Sequence, residues 1–311
     1  MGRASDVPGS TTDAVERIPA VRVAVIDVGS NSVRLLVASV KRSGELRELD
    51  RDRVYLRLGD DAYRLGRIGH RKLDELAAVG ERFARRAWAA RVERIEAIVT
   101  APGRQASNAE ELVEVLEDAT RGRVAVLTAE DEGRLAWEGA VAALDSPRGS
   151  IAVVDLGGGS CEVAIGTPDT GPTWVRSRNA GALRVTRELL PAGHEVARAR
   201  AGTRLMLDGV DPPRPELALA VGGTARAVAK VLGPRFGARK LDALADRIAL
   251  EGAAAVTAGL DITPSRAETL LGGTLVLAEV ARRLDAKLEA GHGGVRQGAA
   301  LALARVASAA A

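Results

Sequence analysis

Cysteine and histidine are scarce in this 311-residue sequence, which contains one cysteine, Cys161, and three histidines. A single cysteine excludes an internal disulfide bond and is typical of a reducing compartment. With so few thiol and imidazole ligands, a zinc site built from histidine and cysteine is excluded as well. No apolar run approaches the roughly 20 residues of a membrane-spanning helix, and residues 1–20 contain no hydrophobic block of the kind found in secretion signals. The sequence therefore predicts a cytoplasmic protein that has no membrane partner.

Aromatic residues make up only 2% of the sequence, so the core must be built from alanine, valine, leucine and isoleucine. So few aromatic rings argue against a platform on which single-stranded nucleic-acid bases stack. The formal net charge is +3, from 44 basic and 41 acidic residues, and this excess is too small to indicate nucleic acid. We therefore predict no nucleic-acid partner, whereas a local basic site for a small or linear anion is compatible with the composition.

A chain of this length is expected to form about two domains. We divide it into a loose tail (1–20), an N-terminal domain (21–146) and a C-terminal domain (147–311), because the segment LDSPRGS at 144–150 combines Asp, Pro and Gly. Apolar periodicity predicts strands at 21–27, 33–40, about 53–58, 94–100, 123–128, 173–178 and 216–221, and helices at 72–91, 107–119, 130–144, 182–190 and 195–207, with mostly helix beyond.

The two halves of the sequence begin with the same pattern. VAVIDVGSNS at 23–32 and IAVVDLGGGS at 151–160 each place four apolar residues, an Asp and a Gly/Ser turn in that order, followed by a second apolar strand. Asp27 and Asp155 are separated by 128 residues (155 minus 27), about one domain length. Such a duplication predicts two similar α/β domains that face each other.

Each of the two turns has the composition of an anion-binding site. A glycine-rich turn between two strands directs several backbone N–H groups into one space, and glycine lets a ligand approach the backbone closely. An Asp at the strand end would repel a phosphate unless a hard cation lay between them, so Asp27, Asp155 and the following Glu162 are candidate ligands of Mg²⁺. The alternative for a single turn is an ordinary hairpin closed by an Asp. The candidate phosphate-binding residues are Gly29, Ser30, Asn31, Ser32, Gly157, Gly158, Gly159 and Ser160.

Three acidic residues, Glu130, Asp131 and Glu132, begin a predicted helix in the segment TAEDEGRLAWEG. One interpretation is helix capping, with Thr128 as the N-cap and Asp131 three residues later, where negative charge favours the helix dipole. The other is that one of the three acids is a general base that activates water. Spacing alone leaves both alternatives open.

Two further strand–helix junctions are candidates for phosphate contact. Arg104 lies in TAPGRQASN at the end of a predicted strand, and an arginine forms bidentate contacts with phosphate, although a lone loop arginine is usually solvated. The segment AVGGTARAVAKVL at 220–232 places Gly222, Gly223 and Thr224 at the start of a helix, whose N-terminus favours an anion.

Six motifs together resemble the exopolyphosphatase and guanosine pentaphosphate phosphohydrolase (Ppx/GppA) family, in its short form. They are VAVIDVGSNSVRLL, TAPGRQA, TAEDEGRL, VVDLGGGSCEV, VGGTA and GGVRQG, in the family's order and spacing. The resemblance implies an α/β fold of two actin-like, ribonuclease H-like domains with the active site in the cleft between them. It also implies that Glu132 is the catalytic glutamate, that Arg104 binds phosphate, and that Asp155 and Glu162 help to hold Mg²⁺.

The same resemblance implies the reaction and the partners. We expect an exopolyphosphatase that removes the terminal phosphate of linear inorganic polyphosphate, with Mg²⁺ or Mn²⁺ as the cofactor and a homodimer as the assembly. The alternatives are a hydrolase of the stringent-response nucleotide guanosine pentaphosphate (pppGpp), and a regulator that binds polyphosphate, pppGpp or ppGpp without turnover.

Overall fold

A computed structural model describes residues 20–190 and 195–309 and contains two mixed β-sheets. In the first sheet, the described strands follow the order β3-β2-β1-β4-β5, with β1 antiparallel to β2 and parallel to β4. Strand β1 lies at the centre because its apolar residues are buried on both faces. The strands are β1 (Val21–Val28), β2 (Val33–Val40), β3 (Leu46–Val54), β4 (Arg94–Val99) and β5 (Arg123–Val126).

The second sheet repeats the arrangement of the first. Its strands are β6 (Ile151–Leu156), β7 (Cys161–Thr167), β8 (Gly171–Arg178), β9 (Leu217–Val221), β10 (Arg235–Phe236) and β11 (Leu288–Ala290). Within the described residues their order is β10-β11-β9-β6-β7-β8, so an antiparallel meander of three strands is again continued by parallel strands beside its first member. The predicted duplication is confirmed, and Asp27 and Asp155 end corresponding central strands.

The helices cover the sheets and separate them. They are α1 (Leu58–Leu65), α2 (His70–Ala89), α3 (Ala101–Gln105), α4 (Ala109–Thr120), α5 (Ala129–Val141), α6 (Ala182–Leu189), α7 (Val196–Met206), α8 (Gly222–Leu232), α9 (Ala238–Glu251), α10 (Ala253–Val256), α11 (Pro264–Glu268), α12 (Leu270–Arg283) and α13 (Val295–Ala309). Helices α2 and α4 share a core with the first sheet, whereas α6 to α9 and α12 share a core with the second. Both cores consist largely of Ala, Val, Leu and Ile, as the composition predicts.

Helices α5 and α13 cross between the two sheets. Helix α5 follows the first sheet in the chain but packs against β7 and β8, whereas α13 follows the second sheet and packs against β1 and β2. Their backbones touch, since a Cβ atom at Gly139 would overlap the carbonyl of Gly294, and one at Gly298 would overlap the carbonyl of Leu135. The two halves of the chain are therefore joined by helices that each pack on the sheet of the other half.

The prediction of a third strand at 53–58 is wrong. The strand occupies Leu46–Val54, and residues 58–65 form α1, which the sequence analysis missed. Strand β3 is an edge strand that exposes most of its charged side chains, so it lacks the apolar alternation by which strands are recognised. Its position is determined by backbone pairing with β2 instead.

The predicted tail lies outside the described residues except for Ala20, and the division into domains at 146/147 stays a prediction. Across residues 20–190 and 195–309, no helix combines the length and the apolar character needed to cross a membrane.

We predict that Gly298→Ala lowers the melting temperature. In an exposed helix this change stabilises by up to about 1 kcal/mol, but here the new Cβ would overlap the carbonyl of Leu135, and overpacking costs about 1–3 kcal/mol. The measurement is thermal unfolding followed by circular dichroism. The control is Val306→Ala on the same helix, whose side chain is largely exposed and which should change the stability by less than about 0.5 kcal/mol. An unchanged or raised melting temperature for Gly298→Ala would contradict the close helix crossing.

Candidate active site

The carboxyl ends of the central strands of both sheets meet at one cleft, which encloses about 790 Å³ of empty space including its open mouth. The cleft is lined by the β1–β2 turn, the β6–β7 turn, the start of α8 and the loop before α13. Most of the predicted site residues lie here, namely Asp27, Gly29, Ser30, Asn31, Ser32, Glu132, Asp155, Gly157, Gly158, Gly159, Ser160, Gly222 and Gly223. Three predicted residues do not line it: Arg104, Glu162 and Thr224.

The two glycine turns have the same geometry and pack against each other. Gly29 N–H donates to the carbonyl of Ser32 at 3.1 Å, and Gly157 N–H donates to that of Ser160 at the same distance. A Cβ atom at Gly159 would collide with Ser30 Oγ, so the β6–β7 turn needs glycine there to approach the β1–β2 turn. Ser30 Oγ is buried and makes no hydrogen bond. The turns therefore form one wall of the cleft, with an unsatisfied hydroxyl group in it.

The three acidic residues at the start of α5 have separate positions. Thr128 is the N-cap: its Oγ1 accepts a hydrogen bond from Asp131 N–H at 3.0 Å and donates one to the Asp131 carboxylate at 2.6 Å. Glu130 pairs with Arg134 on the helix surface at 2.7 Å. Glu132 is 6% exposed and lines the cleft. The capping interpretation thus holds for Asp131, and Glu132 is the acid available to a ligand.

Glu132 is held by Arg104. Arg104 Nη1 lies 2.7 Å from Glu132 Oε2, in an ion pair without hydrogen-bond alignment, and also donates to the carbonyl of Leu127 at 2.9 Å. Burial raises the pKa of Glu132 well above its ordinary value, and the negative charge of Glu162 is the second largest cause. The positive charge of Arg104 opposes this shift. A buried carboxyl group with a raised pKa beside a single arginine is typical of an acid–base residue.

Glu162 lies behind the cleft rather than in it. Its side chain is 1% exposed, accepts a hydrogen bond from Ser177 Oγ at 2.7 Å and lies 3.8 Å from Arg104 Nη2. Burial, together with the neighbouring Asp155, raises the pKa of Glu162 to about 7. Cross-strand pairing puts Glu162 on the same face as Asp155, and Ser177 and Arg104 both contact its Oε1, while Oε2 has no hydrogen-bond partner. Its role as a metal ligand stays a prediction.

Asp27 and Asp155 share the cleft. Burial raises the pKa of Asp155 to about 6, and the negative charge of Asp27 is the second largest cause. Nearby arginines oppose the shift. Across residues 20–190 and 195–309, no three His, Cys, Asp or Glu side chains are arranged to hold a metal ion. Mg²⁺, however, is commonly held by one or two carboxylates together with substrate phosphates and water. Two repelling carboxylates in one cavity fit that arrangement.

Four arginines in the described part of the chain line the cleft, and the sequence analysis assigned none of them to the site: Arg34, Arg226, Arg266 and Arg296. Burial lowers the pKa of Arg266 and of Arg296 to about 10, and the positive charge of Arg34 is the second cause. The same two causes lower the pKa of Arg226. These guanidinium groups stay charged at neutral pH and repel one another. Three of them follow a glycine motif within five residues, a signal that could have identified them, whereas Arg266 lies far from any such motif.

Thr224, in the first turn of α8, lies outside the cleft lining. Its hydroxyl accepts a hydrogen bond from Arg266 Nη1 at 3.1 Å, and the side chain is fully buried. A Cβ at Gly223 would collide with the Arg266 guanidinium group. The GGT motif therefore positions Arg266 in the cleft.

The chain is similar to known proteins along almost all of its length. The sequence profile of the Ppx/GppA phosphatase family matches residues 36–305. Exopolyphosphatase 1 of Mycobacterium tuberculosis is 30% identical over 293 residues, which cover 85% of this chain and 82% of that protein. Among solved structures, an exopolyphosphatase-like protein aligns with a TM-score of 0.83 and 25% identity, and a Ppx/GppA family member from Aquifex aeolicus with 0.77 and 26%. Each alignment covers 93% of this chain and 99% of the other.

These similarities confirm the predicted fold of two actin-like α/β units with a cleft between them. The family match begins inside β2, after the first glycine turn, and includes the second turn, α5 and the loop before α13. The chain belongs to the Ppx/GppA phosphatase family.

Proposed function

We propose that the protein is an exopolyphosphatase that hydrolyses the terminal phosphoanhydride bond of linear inorganic polyphosphate. The observation that carries this proposal is the set of four mutually repelling arginines around two glycine turns. Buried cations that repel one another are stabilised by a bound polyanion. The name of the Mycobacterium tuberculosis relative supports the same substrate. The test is release of orthophosphate by the purified protein from polyphosphates of graded length.

Linear polyphosphate is favoured over pppGpp by the composition of the cleft. None of the described residues that line it is aromatic, so the cleft offers no ring on which a guanine base would stack. Phosphate release from pppGpp, measured beside that from polyphosphate, separates the two substrates. A regulator without turnover would release phosphate from neither. Homodimerisation and a cytoplasmic location stay predictions.

Asp27 and Asp155 are the residues that would hold Mg²⁺ or Mn²⁺ in the cleft. The metal would neutralise charge on the phosphate oxygens and so reduce repulsion between the substrate and the carboxylates. The two turns and the cleft arginines bind and orient the terminal phosphoryl group, which is the main contribution that a protein makes to phosphoryl transfer.

Glu132 is the proposed general base. Its carboxylate accepts a proton from the attacking water as the water oxygen bonds to the terminal phosphorus, and the bridging oxygen leaves with the shortened chain. A carboxylate with a raised pKa is a better proton acceptor near neutral pH than an ordinary one. The Arg104 ion pair stabilises the ionised form that the reaction needs.

Glu132→Gln should lower the turnover number by about 10²–10⁴-fold, because the amide keeps the shape but does not accept the proton. The Michaelis constant should hold or fall, since a negative charge beside a polyanion is removed. The measurement is steady-state phosphate release. The matched control is Asp131→Asn, which should cost about 0.3–1 kcal/mol of stability by removing a negative charge from the helix N-terminus and leave turnover nearly normal. Wild-type turnover in a normally folded Glu132→Gln variant would refute the general base.

Arg226→Met should weaken the binding of polyphosphate and raise the melting temperature. A lost contact to a charged group costs about 1.5–3 kcal/mol of binding free energy, while burial and the neighbouring cations disfavour this guanidinium in the folded protein. Michaelis constants and thermal unfolding measure the two effects. The control is Arg198→Met, since Arg198 is exposed on α7 outside the cleft. If Arg226→Met bound polyphosphate like the wild type, the assignment of the arginines to the substrate would fail.

Chelation should abolish the activity. Without a cation, Asp27 and Asp155 repel the incoming polyphosphate, so excess EDTA is expected to stop phosphate release and added Mg²⁺ to restore it. Asp27→Asn should raise the Mg²⁺ concentration that gives half-maximal activity. Full turnover in excess EDTA would exclude the metal from the reaction.

A further inference from the structure

A second cavity lies directly behind the two glycine turns. This rear cavity has about 970 Å³ of empty space, open solvent included, and its lining contains Ser30, Gly158, Gly159 and Arg104. The first three also line the front cleft, so the wall between the two spaces consists of the turns themselves. Beyond the turns, the rear cavity is lined mainly by residues of α1, α3 and α6.

Arg104 connects the two spaces. Its guanidinium group pairs with Glu132, which faces the front cleft, while Arg104 itself lines the rear cavity. The Ser30 hydroxyl in the wall is 4% exposed and makes no hydrogen bond. A buried hydroxyl group that has no hydrogen-bond partner within the protein normally bonds to a ligand or to an ordered water molecule.

The charged side chains on the lining of the rear cavity are arginines. Arg184 and Arg187 line it together with Arg104, and none of the described residues that line it is acidic. Each arginine does have an acidic neighbour outside the lining, since Arg184 pairs with Glu188 at 2.7 Å and Arg187 pairs with Asp60 at 3.1 Å. Three arginines on the lining of one cavity suit a small anion.

A side-chain hydrogen bond between two residues on the lining of the rear cavity joins the two halves of the chain. Gln105 Nε2 donates to Asn179 Oδ1 at 2.9 Å, and both residues are on the lining. A single exposed side-chain hydrogen bond contributes only about 0.5–1.5 kcal/mol to stability. This bond can therefore open and close without a change in the fold.

We propose that the rear cavity binds the orthophosphate product and is its route out of the protein. This inference rests on the proposed function. A polyphosphate chain that enters by its terminal phosphate places the cleaved phosphate at the inner end of the cleft, with the rest of the chain between it and the front opening. A rear exit lets the product leave while the shortened chain stays bound.

The test compares chemistry with product release in Arg184→Glu. Arg184 is the better target because its pairing partner Glu188 lies on the same helix, whereas Arg187 pairs both with Asp60 of the other half and with Glu268 of α11. We expect formation of orthophosphate in the first turnover, measured by quenched flow, to stay within about twofold of wild type. Steady-state turnover should fall about tenfold or more, because product release becomes limiting. Arg64→Glu, an exposed position on α1 outside the lining, is the charge-matched control and should match wild type in both measurements.

Product inhibition of the wild-type protein provides a second test that needs no variant. If orthophosphate occupies the rear cavity while polyphosphate fills the front cleft, inhibition by added orthophosphate will persist at saturating polyphosphate. Purely competitive inhibition would overturn the rear site.

The possible failures are distinguishable. If the wild-type protein releases no phosphate from polyphosphate, the proposed function and the rear exit both fail. If it does, and Arg184→Glu either matches it throughout or loses first-turnover and steady-state rates equally, only the rear exit fails.

Discussion

Contact between the backbones of α5 and α13 at Gly139 and Gly298 is the constraint on which the rest of the structure depends. Because neither glycine has a side chain, each helix reaches the sheet of the other half of the chain. The crossing also positions the site. Helix α5 begins beside the cleft and brings Glu132 into it, while the loop before α13 places Arg296 near Asp27, with Nε 3.8 Å from the carboxylate. Larger residues at the crossing would move both charged groups.

The cleft concentrates charge that the folded protein stabilises poorly. Burial and like charges raise the pKa values of Glu132, Asp155 and Glu162, and burial with like charges lowers those of Arg266 and Arg296. Such shifts mean that each charged form is disfavoured by its surroundings. Natural proteins retain this kind of local conflict mainly where a ligand relieves it. The charged groups of the cleft are therefore better explained by the binding of a ligand than by a contribution to the stability of the fold.

Arg104 joins α3 of the first half to α5 and β7 and so lies at the centre of the site. The sequence led us to expect a direct phosphate contact, whereas the structure pairs Arg104 with Glu132 and brings it within 3.8 Å of Glu162. Removal of the arginine would leave two buried carboxyl groups without their shared cation, and breaking a buried pair costs about 3–5 kcal/mol. Any loss of activity at this position would thus combine stability, the protonation of Glu132 and, through the rear cavity, the movement of the product.

The sequence by itself determined the duplicated strand–Asp–turn units. Apolar strand patterns and glycine-rich turns are local features, so each can be recognised within about ten residues of sequence. It also predicted that Asp27 and Asp155 face each other, since equivalent strands end at equivalent places. Tertiary structure alone decided which of three adjacent acids enters the cleft, that Glu162 is turned to Ser177, and that Arg266 reaches Thr224 across 42 residues. These outcomes depend on packing between distant elements, above all the rotation of α5 about its axis, and no pattern within one segment specifies that rotation.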